Sequence, residues 1–158
     1  MKFQYESINH DKNLPVKIFL HNLRNSPYHW HEDIELLFVL KGSIKVVCGK
    51  KTIMLKEKDL NLINSNEIHS TGADEDNLTL VIQINVEYFE HYYPDFGRLR
   101  FMVDSTSPEL QDKSGINKLC LYVARIMETV NKKEDGYVLR VNNLLFSLVY
   151  DLIRNELG

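Results

Sequence analysis

The stretch His29-Trp30-His31-Glu32-Asp33-Ile34-Glu35, with six further residues before Gly42, sets two imidazoles, a carboxylate and a glycine at short fixed intervals. Alternate side chains of an extended strand share a face, so His29 and His31 point together, opposite Trp30, and Glu35 has their parity. A straight strand would hold Glu35 about 13 Å from His31 at about 3.3 Å per residue, too far to share a small ligand. The chain is therefore expected to bend near Glu32-Asp33 and so turn a spacing into a site.

Working outward, short apolar or alternating runs fill the chain from Pro15 to Asn85. They predict strands at Val16 to His21, His29 to His31, Glu35 to Leu40, Ser43 to Cys48, Lys51 to Leu55, Leu60 to Ile63 and Leu78 to Asn85. Lys41-Gly42 and Gly49-Lys50 sit at hairpin distance, and Asn64-Ser65-Asn66 and Gly72-Ala73-Asp74 mark longer loops. Seven strands within about 70 residues require two facing sheets or a closed barrel.

Beyond Asn85 the pattern changes. Val86 to Tyr93 predicts a short helix stopped by Pro94, and Leu99 to Val103 a further strand. Ile116, Leu119, Val123, Ile126 and Val130 then recur at steps of three and four, and Val138, Val141, Leu145, Leu148 and Leu152 repeat the pattern after Asp135-Gly136. Two antiparallel helices follow, with Leu119, Val123, Ile126, Leu145, Leu148 and Leu152 as candidates for their seam or for a dimer contact. The second helix is apolar over more than one stripe, which leaves a face for a partner chain.

A chain of 158 residues with 44% hydrophobic content and a net charge of −3 has room for one well-buried core. Its scattered Lys and Arg residues form no electrostatic footprint for nucleic acid. The amino terminus has no secretion-signal pattern and no stretch reaches membrane-spanning length, so a cytoplasmic protein with no membrane contact is expected. Cys48 and Cys120 belong to no paired motif and are expected to be buried reduced thiols. His10, His21 and His91 are expected at the surface or its boundary, and Phe89, Tyr92, Tyr93 and Phe96 as a packing cap on the barrel. No nucleophile elbow or phosphate-binding loop occurs.

His69 follows the Leu60 to Ile63 strand through a loop at the same end of the barrel and brings a third imidazole toward His29, His31 and Glu35. These four side chains suit a divalent transition metal with open positions, or a metal-free polar site in which Glu35 accepts hydrogen bonds from the imidazoles. Glu35, Asn61, Gln83 and Trp30 are the groups such a barrel can offer a sugar.

The motif His29-x-His31-x3-Glu35-x6-Gly42 resembles the first cupin motif at every spaced position, and residues 58–73 occupy the place of the second. There Lys58, Asn64, Asn66 and Ala73 replace the usual glycine, proline, glycine and asparagine, while His69 is kept. Asn66 can supply the left-handed backbone of the missing glycine. More narrowly, Tyr28 to Gly42, Leu55 to Leu60 and Asn64 to Ser70 resemble the amino-terminal sensor domain of AraC-family transcription regulators, with Lys58 and Ser65 standing where that family usually has glycine and proline.

The resemblance covers essentially the whole chain and implies a mainly β (α+β) fold: a cupin double-stranded β-helix, or jelly-roll barrel, over residues 1–105, followed by a carboxy-terminal antiparallel two-helix hairpin for dimerisation over 106–158. It implies a non-enzymatic sensor that binds a small, sugar-like effector, requires no cofactor and forms a homodimer through the helices. DNA would be read only by a helix-turn-helix domain absent from this chain. The alternative is a metal-dependent cupin enzyme, a dioxygenase or isomerase, using His29, His31, Glu35 and His69.

Overall fold

The computed structural model describes residues 4–5 and 14–156. Nine strands are present among them: β1 (Gln4–Tyr5), β2 (Val16–His21), β3 (Asn25–Trp30), β4 (Ile34–Lys41), β5 (Ile44–Cys48), β6 (Lys51–Leu55), β7 (Leu60–Ile63), β8 (His69–Gly72) and β9 (Leu78–Ile84). One sheet runs β1-β3-β8-β5-β6 and the other β2-β9-β4-β7. All pairings are antiparallel except β1 with β3.

Strand parity divides the second sheet between two cores. Leu37, Val39, Ile63 and Val81 face inward and pack with Ile44, Val46, Ile53 and Leu55 of the other sheet. Their neighbours Ile34, Leu36, Leu60, Leu62, Leu80, Ile82 and Ile84 face outward into a larger core shared with the helices. Both faces of β4 are therefore dry, which is why Ile34 to Leu40 reads as an almost unbroken apolar run.

Helix α1 (Val86–Glu90) starts at Asn85, whose side chain accepts from the Tyr88 amide at 3.1 Å. It ends at Glu90, shorter than predicted, with His91 still in helical backbone and the Tyr92 and Tyr93 amides both donating to the Phe89 carbonyl, at 3.0 and 2.9 Å. Helices α2 (Ser114–Lys132) and α3 (Tyr137–Glu156) are joined through left-handed Lys133 and Gly136, at φ 49° and 81°. Leu119, Val123, Ile126, Leu145, Leu148 and Leu152 are all buried in the core between these helices and the sheet.

Three elements differ from expectation. The Leu99 to Val103 segment forms no strand: Asn64 accepts from the Phe101 amide at 2.8 Å and donates to its carbonyl at 3.1 Å, occupying groups that a ladder needs. An isolated bridge, Asn61 with Asp104, joins the end of this segment to β7. Strand β3 begins four residues earlier than predicted, with Pro27 at a register irregularity between Ser26 and His29, where a missing N–H is tolerated. Residues 69–72, for which the sequence pattern predicts no strand, are β8.

Two turns explain the motif glycines and their replacements. A Cβ on Gly42, at φ +79°, would come within 2.8 Å of the Asp76 carbonyl oxygen, so no other residue fits there. Lys58 occupies φ 70° and Asn66 φ 62°, both where the cupin pattern has glycine. Lysine has no local hydrogen bond to offset left-handed backbone, so Lys58→Gly is expected to stabilise the chain by about 1 kcal/mol in urea denaturation. An unchanged midpoint would show that the turn carries no strain.

Candidate functional site

His29 lies one residue before the end of β3, on the inner face, in register with His69 of β8. His31 follows β3 at the bend, and Glu35 enters on β4 beside Gln83 of β9. The bend is held by the 64–66 turn: Ser65 Oγ donates to the Glu32 carbonyl at 2.6 Å, and the Asn66 amide to that of His31 at 2.8 Å. This fastening brings the three imidazoles together, with ring centroids 4.3 Å apart for His29 and His69, 5.1 Å for His31 and His69, and 5.7 Å for His29 and His31. One ligand atom from each lies within 4.8 Å of the others.

The tautomers follow from the backbone. Nδ1 of His29 donates to the Pro27 carbonyl at 2.7 Å, that of His31 to Asp33 at 3.0 Å, and that of His69 to Glu67 at 2.8 Å. A carbonyl only accepts, so each ring carries its proton on Nδ1 and presents Nε2 as the ligating atom. His31 Nε2 lies 3.6 Å from Glu35 Oε1, and His69 Nε2 3.5 Å from Oε2.

His69 is wholly buried, and its Nε2 makes no hydrogen bond among the described residues. With the proton on Nδ1, a lone pair of Nε2 faces the carboxylate, an arrangement that a cation between them would satisfy. Burial alone would push the Glu35 carboxyl up, but the two imidazoles set against it, His31 and His69, outweigh that and hold the group well below the ordinary carboxylate range.

A cavity of about 270 Å³ enters the barrel at this point. His29, Glu35, Gln83 and Thr71 form its polar wall, Phe19, Leu37 and Val81 its apolar wall, and His21, Leu23, Asn25, Ser26 and Pro27 complete its lining. His31 and His69 stand outside this lining, each against Glu35. Gln83 Nε2 donates to Glu35 Oε1 at 2.9 Å. Of the other groups expected to meet a sugar, Asn61 turns its amide to the Val103 carbonyl at 3.5 Å, and neither it nor Trp30 lines the cavity. Thr71 escaped the sequence reading because the pattern predicts no strand there; its even spacing from His69 was the available signal.

Cys48 faces His69 across the β5–β8 pair. Both cysteines are only half-buried and free; burial, then Glu67, pushes the Cys48 thiol up to about 12, leaving it protonated and inert. His21 and His91 are exposed, and His10 lies outside the described residues. Phe89 and Phe96 are buried in the helix-facing core, whereas Tyr92 is exposed. Among the described residues no helix is long and apolar enough to cross a membrane.

A two-sheet barrel whose interior holds an imidazole and carboxylate cluster beside a cavity defines a ligand-binding domain of cupin type. The sequence profile described as the AraC-like ligand binding domain matches residues 18–139, and the chain belongs to that family. No curated protein matches it. Similar solved structures include a cupin-like protein from Thermotoga maritima, at 24% identity and TM-score 0.42, covering 46% of this chain and 59% of that one. A cupin-2 domain containing protein from Shewanella frigidimarina is 19% identical with TM-score 0.41, over 50% of this chain and 78% of its own. A cupin 2 conserved barrel domain protein from Salinispora arenicola is 14% identical with TM-score 0.44, over 52% and 73%.

Proposed function

We propose that this chain is the effector-sensing and dimerisation domain of an AraC-type transcription regulator, acting on DNA through a helix-turn-helix domain outside it. The observation that carries this reading is a division of labour within two strands. Glu35 and Gln83 line the cavity, while the adjacent Ile34, Leu36, Ile82 and Ile84 pack toward α2 and α3. A small, sugar-like molecule that prefers one arrangement of β4 and β9 biases the helices by its differential affinity, typically about 5- to 150-fold.

A thermal-shift screen of sugars and metabolites tests this. A compound at about 100 times its Kd should raise the midpoint by about 5–10 °C, and Val81→Trp, which fills the cavity, should abolish the rise. A rise retained in the filled variant contradicts the assignment.

For the dimer, α3 offers Leu139, Asn143, Phe146, Tyr150 and Ile153 at alternating steps of four and three, the spacing of a coiled-coil seam. Leu139 and Tyr150 are 78% and 61% exposed. The second copy of this chain is the partner such a heptad face fits, with Asn143 fixing the register.

The lone pairs that His31 and His69 turn toward Glu35 support a second reading, a metal centre held by His29, His31, His69 and Glu35. A divalent transition metal would supply open coordination positions and polarise what binds there, the chemistry of a cupin enzyme. Stoichiometric metal in protein purified without an affinity tag, lost with turnover in His69→Ala, would favour the enzyme; metal-free protein favours the sensor.

A further inference from the structure

We propose that Gln83 sets the chemical class of the effector, selecting a small neutral or cationic molecule that presents a hydroxyl or amine donor and rejecting carboxylates. This inference rests on the barrel cavity being the effector site. Gln83 is 3% exposed, and its Nε2 donates to Glu35 Oε1 at 2.9 Å. That bond fixes the amide, because a flip would bring two acceptor oxygens to the same distance.

Gln83 Oε1 is consequently the atom left over. It is buried and makes no hydrogen bond among the described residues, and its residue lines the cavity. A buried acceptor without a partner costs free energy until a donor reaches it, so a ligand hydroxyl or amine gains what the apo barrel lacks. A carboxylate gains nothing from Gln83 Oε1, and its charge would meet Glu35 with no Lys or Arg among the lining residues. The apolar wall of Phe19, Leu37 and Val81 and the volume of about 270 Å³ limit the ligand to a compact molecule with one non-polar face.

Matched probes test the assignment on the whole chain by thermal shift: D-ribose and ethanolamine against D-ribonate and glycolate, each at about 10 mM. At least one donor probe is expected to raise the midpoint by about 3 °C or more, with the acids leaving it unchanged, and Gln83→Met, of similar volume, is expected to lose the rise. Ribose and ethanolamine separate a hydroxyl-bearing from an amine-bearing effector. Because the class is read on the unmodified chain, the test stands even where Gln83→Met does not fold. Stabilisation by the acids alone, or a rise retained in folded Gln83→Met, overturns the role of Gln83 while leaving the cavity as an effector site. No shift from any of the four overturns it as well, and only the failure of the wider metabolite screen would then remove the sensing function.

Discussion

Leu148→Asp should abolish cooperative unfolding, whereas Tyr150→Asp, two residues away on the same helix, should leave the fold intact and dissociate the dimer. Leu148 is fully buried between α3 and its neighbours. Its replacement forfeits about 1.5–3 kcal/mol of side-chain burial and leaves an unpaired charge in the core at a cost of several more. The sum exceeds about 5 kcal/mol, the lower end of what a domain of this size has in total. Tyr150 is 61% exposed, and its substitution should change stability by no more than about 0.5 kcal/mol. Denaturation followed by circular dichroism reads the first effect and sedimentation velocity the second. A folded, monomeric Leu148→Asp would instead put Leu148 in the dimer contact.

Glu35→Ala carries the second large effect, a loss of about 3–5 kcal/mol in urea denaturation, because it removes the counter-charge from two buried imidazoles and the acceptor from Gln83. A metal chelator added to the unmodified protein then identifies the cation between the rings and the carboxylate. An unchanged midpoint goes with a site that holds no removable metal. A fall toward that of Glu35→Ala goes with a bound metal, since a ligand held only by the folded state stabilises it. A variant as stable as the parent would mean that the carboxylate and imidazoles do not interact.

The parts of this fold that one local signal determines were legible in the sequence. Alternation bounded by turns marked β2, β6 and β7 residue for residue, the helical period located α2 and α3, and the distance a straight strand would put between His31 and Glu35 required the bend now fastened by Ser65 and Asn66. Elements decided by tertiary contacts were not. Pro27 spoke against a strand that a bulge accommodates, and the polar run His69 to Gly72 becomes a strand only because β3 and β5 flank it. Leu36 and Leu37 are equally apolar, so sequence alone could not tell the face toward the cavity from the face toward the helices. That same ambiguity hid the partnership of Glu35 and Gln83, which depends on the register of β4 with β9.

The claim on which sensing depends is that a small molecule occupies the barrel interior against Glu35 and Gln83. A crystal structure of the chain with its strongest stabilising metabolite tests it most directly. The compound should lie between the wall of Phe19, Leu37 and Val81 and the polar groups of His29, Glu35 and Gln83, with a donor on Gln83 Oε1. Finding it bound outside the barrel, with the interior unchanged, would contradict the account.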